Sequence, residues 1–299
     1  MTVVDTFRGS VNRWECDEND HLNVRFYLRK AEQGIVLGLS ALGLADHRQA
    51  ASWLKRASTH HIRYLQEARV AAPIVGTLGV TGLSEGRLEL LSELSHGFSG
   101  EPLATLLSEL EVDPAEAERL RAQTPPFVSV PTHAAPRGLP AAPSPYATLG
   151  PEAARAHGYR RIGAGVIEAD ECSPDGACAD WALVGRTSDS MPSLWSTTHG
   201  TGPTAEFLGG AVLEYRFQRN GPLEVGEPFV HYAALGEIGS KTYRISHLLY
   251  RADTGMLVSS AEAVSIAMDL EARRSLPITE EHRQRMMPLQ RRPLAGTEE

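Results

Sequence analysis

The feature that most constrains the fold of this 299-residue chain is a pattern that occurs twice. Each copy begins with a short strand-like run that ends in Glu-Cys, and continues through a polar loop into an apolar segment of helical length. Three landmarks recur at an offset of 155 or 156 residues: Glu15-Cys16 and Glu171-Cys172, Pro73 and Pro228, and the turns at Gly100 and Gly255. Because order and spacing are both kept, we interpret the chain as two copies of one structural unit.

Segments of strand-like composition lie between these landmarks in each half. They are Thr59–Val70, Arg87–His96 and Leu103–Val112 in the first half, and Ala211–Arg219, Lys241–Arg251 and Met256–Leu270 in the second. Each copy also contains one long apolar helix, the first of them running from about Val24 to Leu39, which a twisted sheet must cover. The predicted class is α+β, with each unit an antiparallel sheet wrapped around one long central helix.

A proline-rich stretch, 124–151, separates the two copies. Proline removes a backbone donor and interrupts both helices and central strands, so this stretch is predicted to be an extended crossover. The expected organisation is a first unit at 1–123, a linker at 124–155, and a second unit at 156–299 that ends in a basic tail.

The charge balance argues against a nucleic-acid-binding protein. The chain has 29 Lys and Arg against 37 Asp and Glu, a formal net charge of −8, so binding would require a strongly segregated basic face. The most basic segment, Arg283–Arg292, is more simply interpreted as solvated surface.

Three further observations bear on the cellular compartment. The longest apolar stretch, Gly34–Ala45, is shorter than the ~20 residues that a bilayer span needs, and it predicts a buried helix. Met1–Arg8 has no apolar run of the kind found in secretory signals. Cys16, Cys172 and Cys178 lack the number and spacing of a disulfide framework or a metal site. The sequence therefore predicts a reduced, cytoplasmic protein without a membrane span or a bound metal.

The most informative segment is the loop that precedes the first helix. It contains a carboxylate, an imidazole and a carboxamide within seven residues, as Asp17, His21 and Asn23. Each also has a structural interpretation: Asn23 as a helix cap, Asp17 as a turn residue and His21 as an exposed loop residue. Since a cap can also take part in chemistry, both interpretations stay open.

The spacing Trp-x-x-Asp-x-x-x-His-x-Asn-x-x-x-Tyr, formed by Trp14, Asp17, His21, Asn23 and Tyr27, resembles the motif of hotdog-fold thioesterases, specifically the 4-hydroxybenzoyl-CoA-thioesterase-like branch. The two-copy organisation resembles the double-hotdog members over nearly the whole chain. The resemblance implies two tandem hotdog units and hydrolysis of an acyl thioester of coenzyme A or of an acyl carrier. It implies no cofactor besides the coenzyme A of the substrate.

The resemblance also assigns roles to residues. Asp17 is the catalytic carboxylate, acting as general base or nucleophile. His21 and Asn23 then orient water or the thioester carbonyl, and N–H groups near Asn23–Arg25 at the helix start stabilise the oxyanion. Tyr27 is expected to contact the substrate. Independently of the resemblance, the phosphates of the substrate require a local cation on this net-acidic chain, and Arg63 is preferred among the candidates Arg25, Arg63, Arg216 and Arg219.

The second copy has lost the polar motif. Alignment on the Glu-Cys pairs places Ser173, Ala177 and Ala179 opposite the three motif residues of the first loop. We therefore expect one active site per chain.

The second helix is nevertheless expected to contribute to that site, because in hotdog proteins the loop of one unit meets the helix of its partner. This helix is predicted to begin near Gly185–Pro192, with Ser188 or Asp189 as its cap. Thr187 or Asp189 would then supply a second polar group to the substrate. Apolar residues of the two helices are candidates for lining an acyl pocket: Ile35, Leu39, Met191, Leu194 and Trp195.

Two other functions stay open. The first is hydration of an enoyl thioester. The hotdog hydratases have a motif similar to Asp-x-Asn-Pro-x-His, with five residues from Asp to His. Here Asp17 and His21 are four residues apart, and Asp20 stands where the proline is expected. A non-catalytic protein that binds acyl thioesters is the second alternative, since the other copy has already lost its polar groups. The chain has no Gly-x-Ser-x-Gly and no phosphate-binding glycine motif, and assembly into homo-oligomers is left open.

Overall fold

The computed structural model describes residues 2–17, 19–84, 86–196, 209–269 and 274–294. Within it the chain divides into two compact units, unit 1 at Met1–Arg137 and unit 2 at Gly138–Glu299. The proline-rich stretch is thus shared between them, and each unit is described by itself below.

Unit 1 is an antiparallel sheet with helices on it. Its strands are β1 Val3–Ser10, β2 Ala57–Tyr64, β3 Pro73–Ser84, β4 Arg87–His96 and β5 Pro102–Glu111, and its helices are α1 Val24–Ala41, α2 His47–Leu54 and α3 Pro114–Gln123. The strand order is β1-β3-β4-β5-β2, and all neighbouring strands are antiparallel.

Helix α1 packs its apolar side on this sheet. Its buried residues include Tyr27, Ala31, Ile35 and Leu39, a spacing of four that forms one stripe along a helix. Gly38 allows close approach, because a Cβ atom there would lie 2.5 Å from Cδ2 of Leu78 on β3. Ile35 and Leu39, which the sequence also suggested for an acyl pocket, belong to a buried cluster with residues of β3, β4 and β5.

The alternation of strand β4 explains why one side of the sheet faces this core. In Arg87–His96, Leu88, Leu90, Ser92 and Leu94 are buried while the residues between them are partly or fully exposed. That is the period of two expected when one face of a strand is covered. The predicted strand Arg87–His96 is confirmed at both ends.

The hydropathy of the apolar stretch Gly34–Ala45 predicts a single helix, but the structure has no single helix over this stretch. Helix α1 stops at Ala41, because Gly43 adopts a left-handed conformation with φ of +70°, which a helix cannot continue. Among the described residues, the helices are too short or too polar to cross a lipid bilayer.

Unit 2 repeats the order of elements. Its helices are α4 Pro151–Ala156, α5 Asp180–Asp189, α6 Met191–Trp195 and α7 Glu280–Met286, and its strands are β6 Arg160–Val166, β7 Gly209–Arg219, β8 Pro228–Ile238, β9 Thr242–Arg251, β10 Leu257–Asp269 and β11 Arg274–Ser275. The sheet order β6-β8-β9-β10-β7 is antiparallel throughout, with β11 paired to β10. Counted from the first strand of each unit, the order is 1-3-4-5-2 in both.

The prediction for the second helix is wrong in two respects. Helix α5 begins at Asp180, directly after the loop, and not near Gly185–Pro192. It ends at Asp189, and α6 follows after Ser190, so unit 2 has two short helices here instead of one long one. Pro192 lacks the N–H that would continue α5. The serine, aspartate and proline taken for a helix start therefore mark this break.

A pair of histidines lies fully inside unit 2. His231 on β8 and His247 on β9 are 0% and 3% exposed, and Nε2 of His231 lies 3.1 Å from Nδ1 of His247. Burial lowers the pKa of His247 to about 4 and, together with the charge of His247, holds the pKa of His231 well below 6.5. Both rings are therefore neutral in the folded protein at pH 7.

This pair predicts that unit 2 loses stability in mild acid. An unfolded histidine binds a proton below about pH 6.5 and the buried ones do not, so the free energy of unfolding falls as the pH drops from 6.5 towards 4. The expected slope is at most about 1.4 kcal/mol per pH unit for each histidine. Urea unfolding between pH 5 and 7 measures it, and His231→Asn should reduce the slope. An unchanged slope in that variant would contradict the assignment.

Candidate active site

The loop before α1 is a short hairpin held by backbone hydrogen bonds. A 3₁₀ turn at Arg13–Glu15 leads into a bridge between Cys16 and Leu22. The N–H of Asp17 donates to the carbonyl of His21 at 3.0 Å, on one side of this bridge. The hairpin therefore places the side chains of Asp17 and His21 next to each other.

The carboxylate of Asp17 is oriented through both of its oxygens. Oδ1 accepts the N–H of Asn19 at 2.9 Å, and Oδ2 lies 3.1 Å from Nδ1 of His21. Both side chains are 14% exposed, which is enough for contact with a small part of a ligand. On the other side of the ring, Nε2 of His21 lies 3.8 Å from Oε1 of Glu67. The imidazole is thus flanked by two carboxylates.

These carboxylates decide the charge of the imidazole. Burial by itself lowers the pKa of His21, but the contact with Asp17 and the negative charges of Asp17 and Glu67 outweigh it. The pKa of His21 is therefore raised above its ordinary value of 6.5. The ring carries a positive charge over a wider pH range than an ordinary histidine does.

Asn23 is the N-cap of α1. Its Oδ1 accepts the N–H of Arg25 at 3.1 Å, its carbonyl accepts the N–H of Phe26, and its own N–H donates to the carbonyl of Glu15. The structural interpretation of Asn23 is thereby confirmed. Two of the N–H groups expected at the oxyanion, those of Asn23 and Arg25, are engaged within the loop. In the described part of the chain, the N–H of Val24 donates to no acceptor.

The hydroxyl group of Tyr27 binds the backbone next to Glu67. The ring is 3% exposed. Its hydroxyl accepts the N–H of Ala68 at 3.1 Å and donates to the carbonyl of Gln66 at 3.3 Å. These two bonds fix the backbone on either side of Glu67, the residue whose carboxylate lies 3.8 Å from His21.

Glu67 is the residue that the sequence interpretation missed. It was included in a predicted strand, Thr59–Val70, whereas strand β2 ends at Tyr64 and Glu67 lies in the turn that follows. No motif position marks it. The bridge between His21 and Arg69 and the hydrogen bond from the N–H of Leu22 to the carbonyl of Ala68 bring this turn beside the loop.

The other predicted substrate contacts lie elsewhere. Nη1 of Arg63 donates to the carbonyl of Ala135 at 2.8 Å. This guanidinium is therefore bonded to the C-terminal segment of unit 1. The hydroxyl of Thr187 is buried in unit 2. It donates to the carbonyl of Val184 and lies 2.9 Å from the hydroxyl of Tyr215. Asp189 is the last residue of α5. For all three, substrate binding stays a prediction.

The corresponding loop of unit 2 has the same backbone and none of the three functional groups. Ser173 donates its N–H to the carbonyl of Ala177, and Ala179 donates to that of Glu171, which reproduces the hydrogen bonds of the first loop. Ala179 occupies the N-cap of α5 without a side-chain bond. The loop fold is therefore independent of the polar residues it holds in unit 1.

An ion pair ties each loop to its helix, and in unit 1 both partners are buried. Nζ of Lys30 on α1 lies 2.6 Å from Oε1 of Glu15, and their side chains are 6% and 5% exposed. Oε2 of the same glutamate accepts the N–H of Asn12. In unit 2, Arg186 on α5 pairs with Glu171, also at 2.6 Å. This pairing, with the same spacing of 15 residues, fixes where each loop joins its helix.

Comparison with known proteins gives the class to which this site and fold are similar. Residues 11–128 match the sequence profile of the Thioesterase-like superfamily, a segment that contains the whole loop and α1. No curated protein matches the sequence.

Solved structures share the fold over both units. A protein assigned as an oleoyl thioesterase from Lactobacillus plantarum is 11% identical, with a TM-score of 0.65 over 90% of this chain and 97% of its own. The 12:0-ACP thioesterase from Umbellularia californica is 10% identical, with a TM-score of 0.62 over 92% and 94%. An acyl-ACP thioesterase from Bacteroides thetaiotaomicron is 9% identical, with a TM-score of 0.54 over 88% and 97%. The chain thus has the hotdog fold of these thioesterases.

The ion pair generates a stability prediction. Lys30→Met leaves the carboxylate of Glu15 buried without its partner, which should lower the free energy of unfolding of unit 1 by about 3–5 kcal/mol. Lys30→Arg should have little effect, because unit 2 already uses arginine at this position. Urea unfolding of the two variants measures both effects, and equal stability of Lys30→Met and wild type would refute the role given to the pair.

Proposed function

We propose that the chain hydrolyses an acyl thioester of coenzyme A or of an acyl carrier to the free acid and thiol. The observation that carries the proposal is the arrangement of Asp17 and His21, with 3.1 Å between Oδ2 and Nδ1, at the start of α1. The Thioesterase-like profile covers this segment, and the similar structures are named as thioesterases of acyl chains. Coenzyme A or the carrier enters only as part of the substrate.

Asp17 is the group that activates the attack. As a general base, Oδ2 takes a proton from water and the resulting hydroxide adds to the thioester carbonyl carbon. As a nucleophile, the same oxygen adds to that carbon and the acyl-enzyme is then hydrolysed. In either route the tetrahedral intermediate expels the thiolate, which takes up a proton. Asn19 and His21 hold the carboxylate in a fixed orientation for this step.

The oxyanion is assigned to the N–H of Val24. This group lies in the first turn of α1, where the helix dipole favours negative charge. The neighbouring N–H groups of Asn23 and Arg25 are bonded to Glu15 and Asn23. They set the geometry of the turn and do not contact the substrate in this scheme.

The two units are further proposed to be tandem copies of one hotdog unit of the 4-hydroxybenzoyl-CoA-thioesterase-like branch, of which only the first is catalytic. The shared strand order and the matching Glu15–Lys30 and Glu171–Arg186 pairs support the common origin. The replacement of the three polar groups by Ser173, Ala177 and Ala179 supports a single active loop.

The first test of this function is removal of the carboxylate. Asp17→Asn preserves the size of the side chain and the oxygen that accepts the N–H of Asn19, and should lower kcat for thiol release by ~10²-fold or more. The assay follows free thiol from acyl-CoA and acyl-carrier substrates. Ser173→Ala, at the matching position of unit 2, is the control and should leave kcat unchanged. Full activity of Asp17→Asn, or a large loss in Ser173→Ala, would overturn the assignment.

The charge of His21 generates a second prediction. If the imidazolium orients Asp17, kcat/KM should fall as the pH rises through the raised pKa of His21, because the ring then loses its proton. Glu67→Gln removes a negative charge that raises this pKa, and should move the decline to lower pH. The pH profile of His21→Gln should lack the decline. A profile that rises through the same range would instead identify His21 as the base.

A further inference from the structure

The loop of unit 2 contains two cysteines that lie directly opposite each other. Cys172 and Cys178 form an antiparallel bridge. On one side of it the N–H of Ser173 donates to the carbonyl of Ala177 at 2.9 Å, and on the other the N–H of Ala179 donates to that of Glu171 at 3.0 Å. Since these hydrogen bonds flank the cysteines, Cys172 and Cys178 are a non-hydrogen-bonded pair.

Such a pair has the spacing that a disulfide needs. The Cα atoms of a non-hydrogen-bonded antiparallel pair lie ~4.5 Å apart, with both side chains on the same face. Disulfides are found at Cα separations of ~4.4–6.8 Å. The two sulfurs can therefore be joined by side-chain rotation, with little movement of the backbone.

The backbone of this hairpin is held in register by contacts that do not involve sulfur. The N–H of Gly176 donates to the carbonyl of Ser173, and Gly176 has the left-handed conformation, φ +91°, that the turn requires. The N–H of Cys178 donates to the carbonyl of Leu223 at 2.8 Å, and Ala177 bridges Glu224. The backbone of the reduced loop is thus already in the register that the disulfide needs.

Unit 1 provides an internal comparison. The same bridge there joins Cys16 to Leu22, flanked by the equivalent hydrogen bonds. The first loop therefore has the backbone for a cross-strand bond but only one thiol. The second loop lacks the carboxylate and imidazole of the first and has the second thiol instead.

We propose that Cys172 and Cys178 form a reversible cross-strand disulfide in the loop of unit 2 when the protein meets a low-molecular-weight disulfide such as oxidised glutathione. The thiolate of Cys172 attacks one sulfur of the oxidant, and one glutathione thiolate leaves and takes a proton. Cys178 then loses its proton to solvent and attacks Sγ of Cys172, and the second glutathione leaves. Two protein thiols are oxidised to one disulfide, and one oxidised glutathione is reduced to two thiols.

The surroundings of the thiols determine which one reacts first. Cys172 is half-buried, whereas Cys178 is 4% exposed. Burial and the negative charges of Glu171 and Asp170 raise the pKa of Cys172, and burial raises that of Cys178 strongly. The more accessible Cys172 is therefore the attacking thiol, and the exchange should be slow at neutral pH and faster as the pH rises.

Mapping the disulfide in the full chain tests the proposal. The protein is incubated with oxidised glutathione, its remaining thiols are alkylated, and it is cleaved on the N-terminal side of Asp175, which separates Cys172 from Cys178. Before alkylation, the intact mass should be lower by about 2 Da, for the two hydrogen atoms lost. After cleavage, the expected result is one pair of peptides joined through these cysteines and an alkylated Cys16. Reduction with dithiothreitol should restore both alkylation sites.

A gain-of-function variant provides the matched control. Leu22→Cys places a second thiol at the equivalent position of unit 1, and this thiol should bond to Cys16 under the same conditions because the bridge is the same. Cys178→Leu introduces the residue that unit 1 has at the equivalent position, Leu22. In this variant Cys172 should form only a mixed disulfide with glutathione. The proposal is overturned if wild-type Cys172 stops at this mixed disulfide, or if Cys172 pairs with Cys16 in place of Cys178.

Discussion

The buried pair between Glu15 and Lys30 is the interaction on which the candidate site depends. A carboxylate and an ammonium group that are both almost fully buried are stable only as partners, because either charge alone would be strongly penalised by burial. Their contact fixes the end of the hairpin on the first turns of α1. Glu15 also supplies the carbonyl that binds the N–H of Asn23, so the start of the helix is set by the same residue.

Because backbone hydrogen bonds and the ion pair define the conformation of the loop, its other side chains can differ between the two units. Unit 2 keeps the glutamate and replaces the lysine with Arg186, and the hairpin keeps its hydrogen bonds although the aspartate, histidine and asparagine are gone. The same backbone supports a carboxylate beside an imidazole in unit 1 and two opposed thiols in unit 2. Loop geometry and loop chemistry are therefore separate properties of this fold.

The sequence predicted the features that repeat, because a repeated pattern is visible without knowledge of contacts. The strand Arg87–His96 and the start of α1 after Asn23 were predicted correctly. The break at Ser190 was misread, since serine, aspartate and proline mark both a helix start and a helix end. Glu67 was missed because it approaches His21 only through the pairing of two distant segments, which local sequence patterns do not encode.

The most direct test of the central claim is the product balance of the wild-type protein with a panel of acyl-CoA and acyl-carrier thioesters, including an enoyl thioester. Hydrolysis predicts free thiol and free acid in equal amounts from at least one member of the panel, with turnover beyond one equivalent of protein. Loss of the enoyl double bond without thiol release would identify a hydratase. Binding of the thioesters without either product would show that the carboxylate and imidazole of the first loop are not a hydrolytic site.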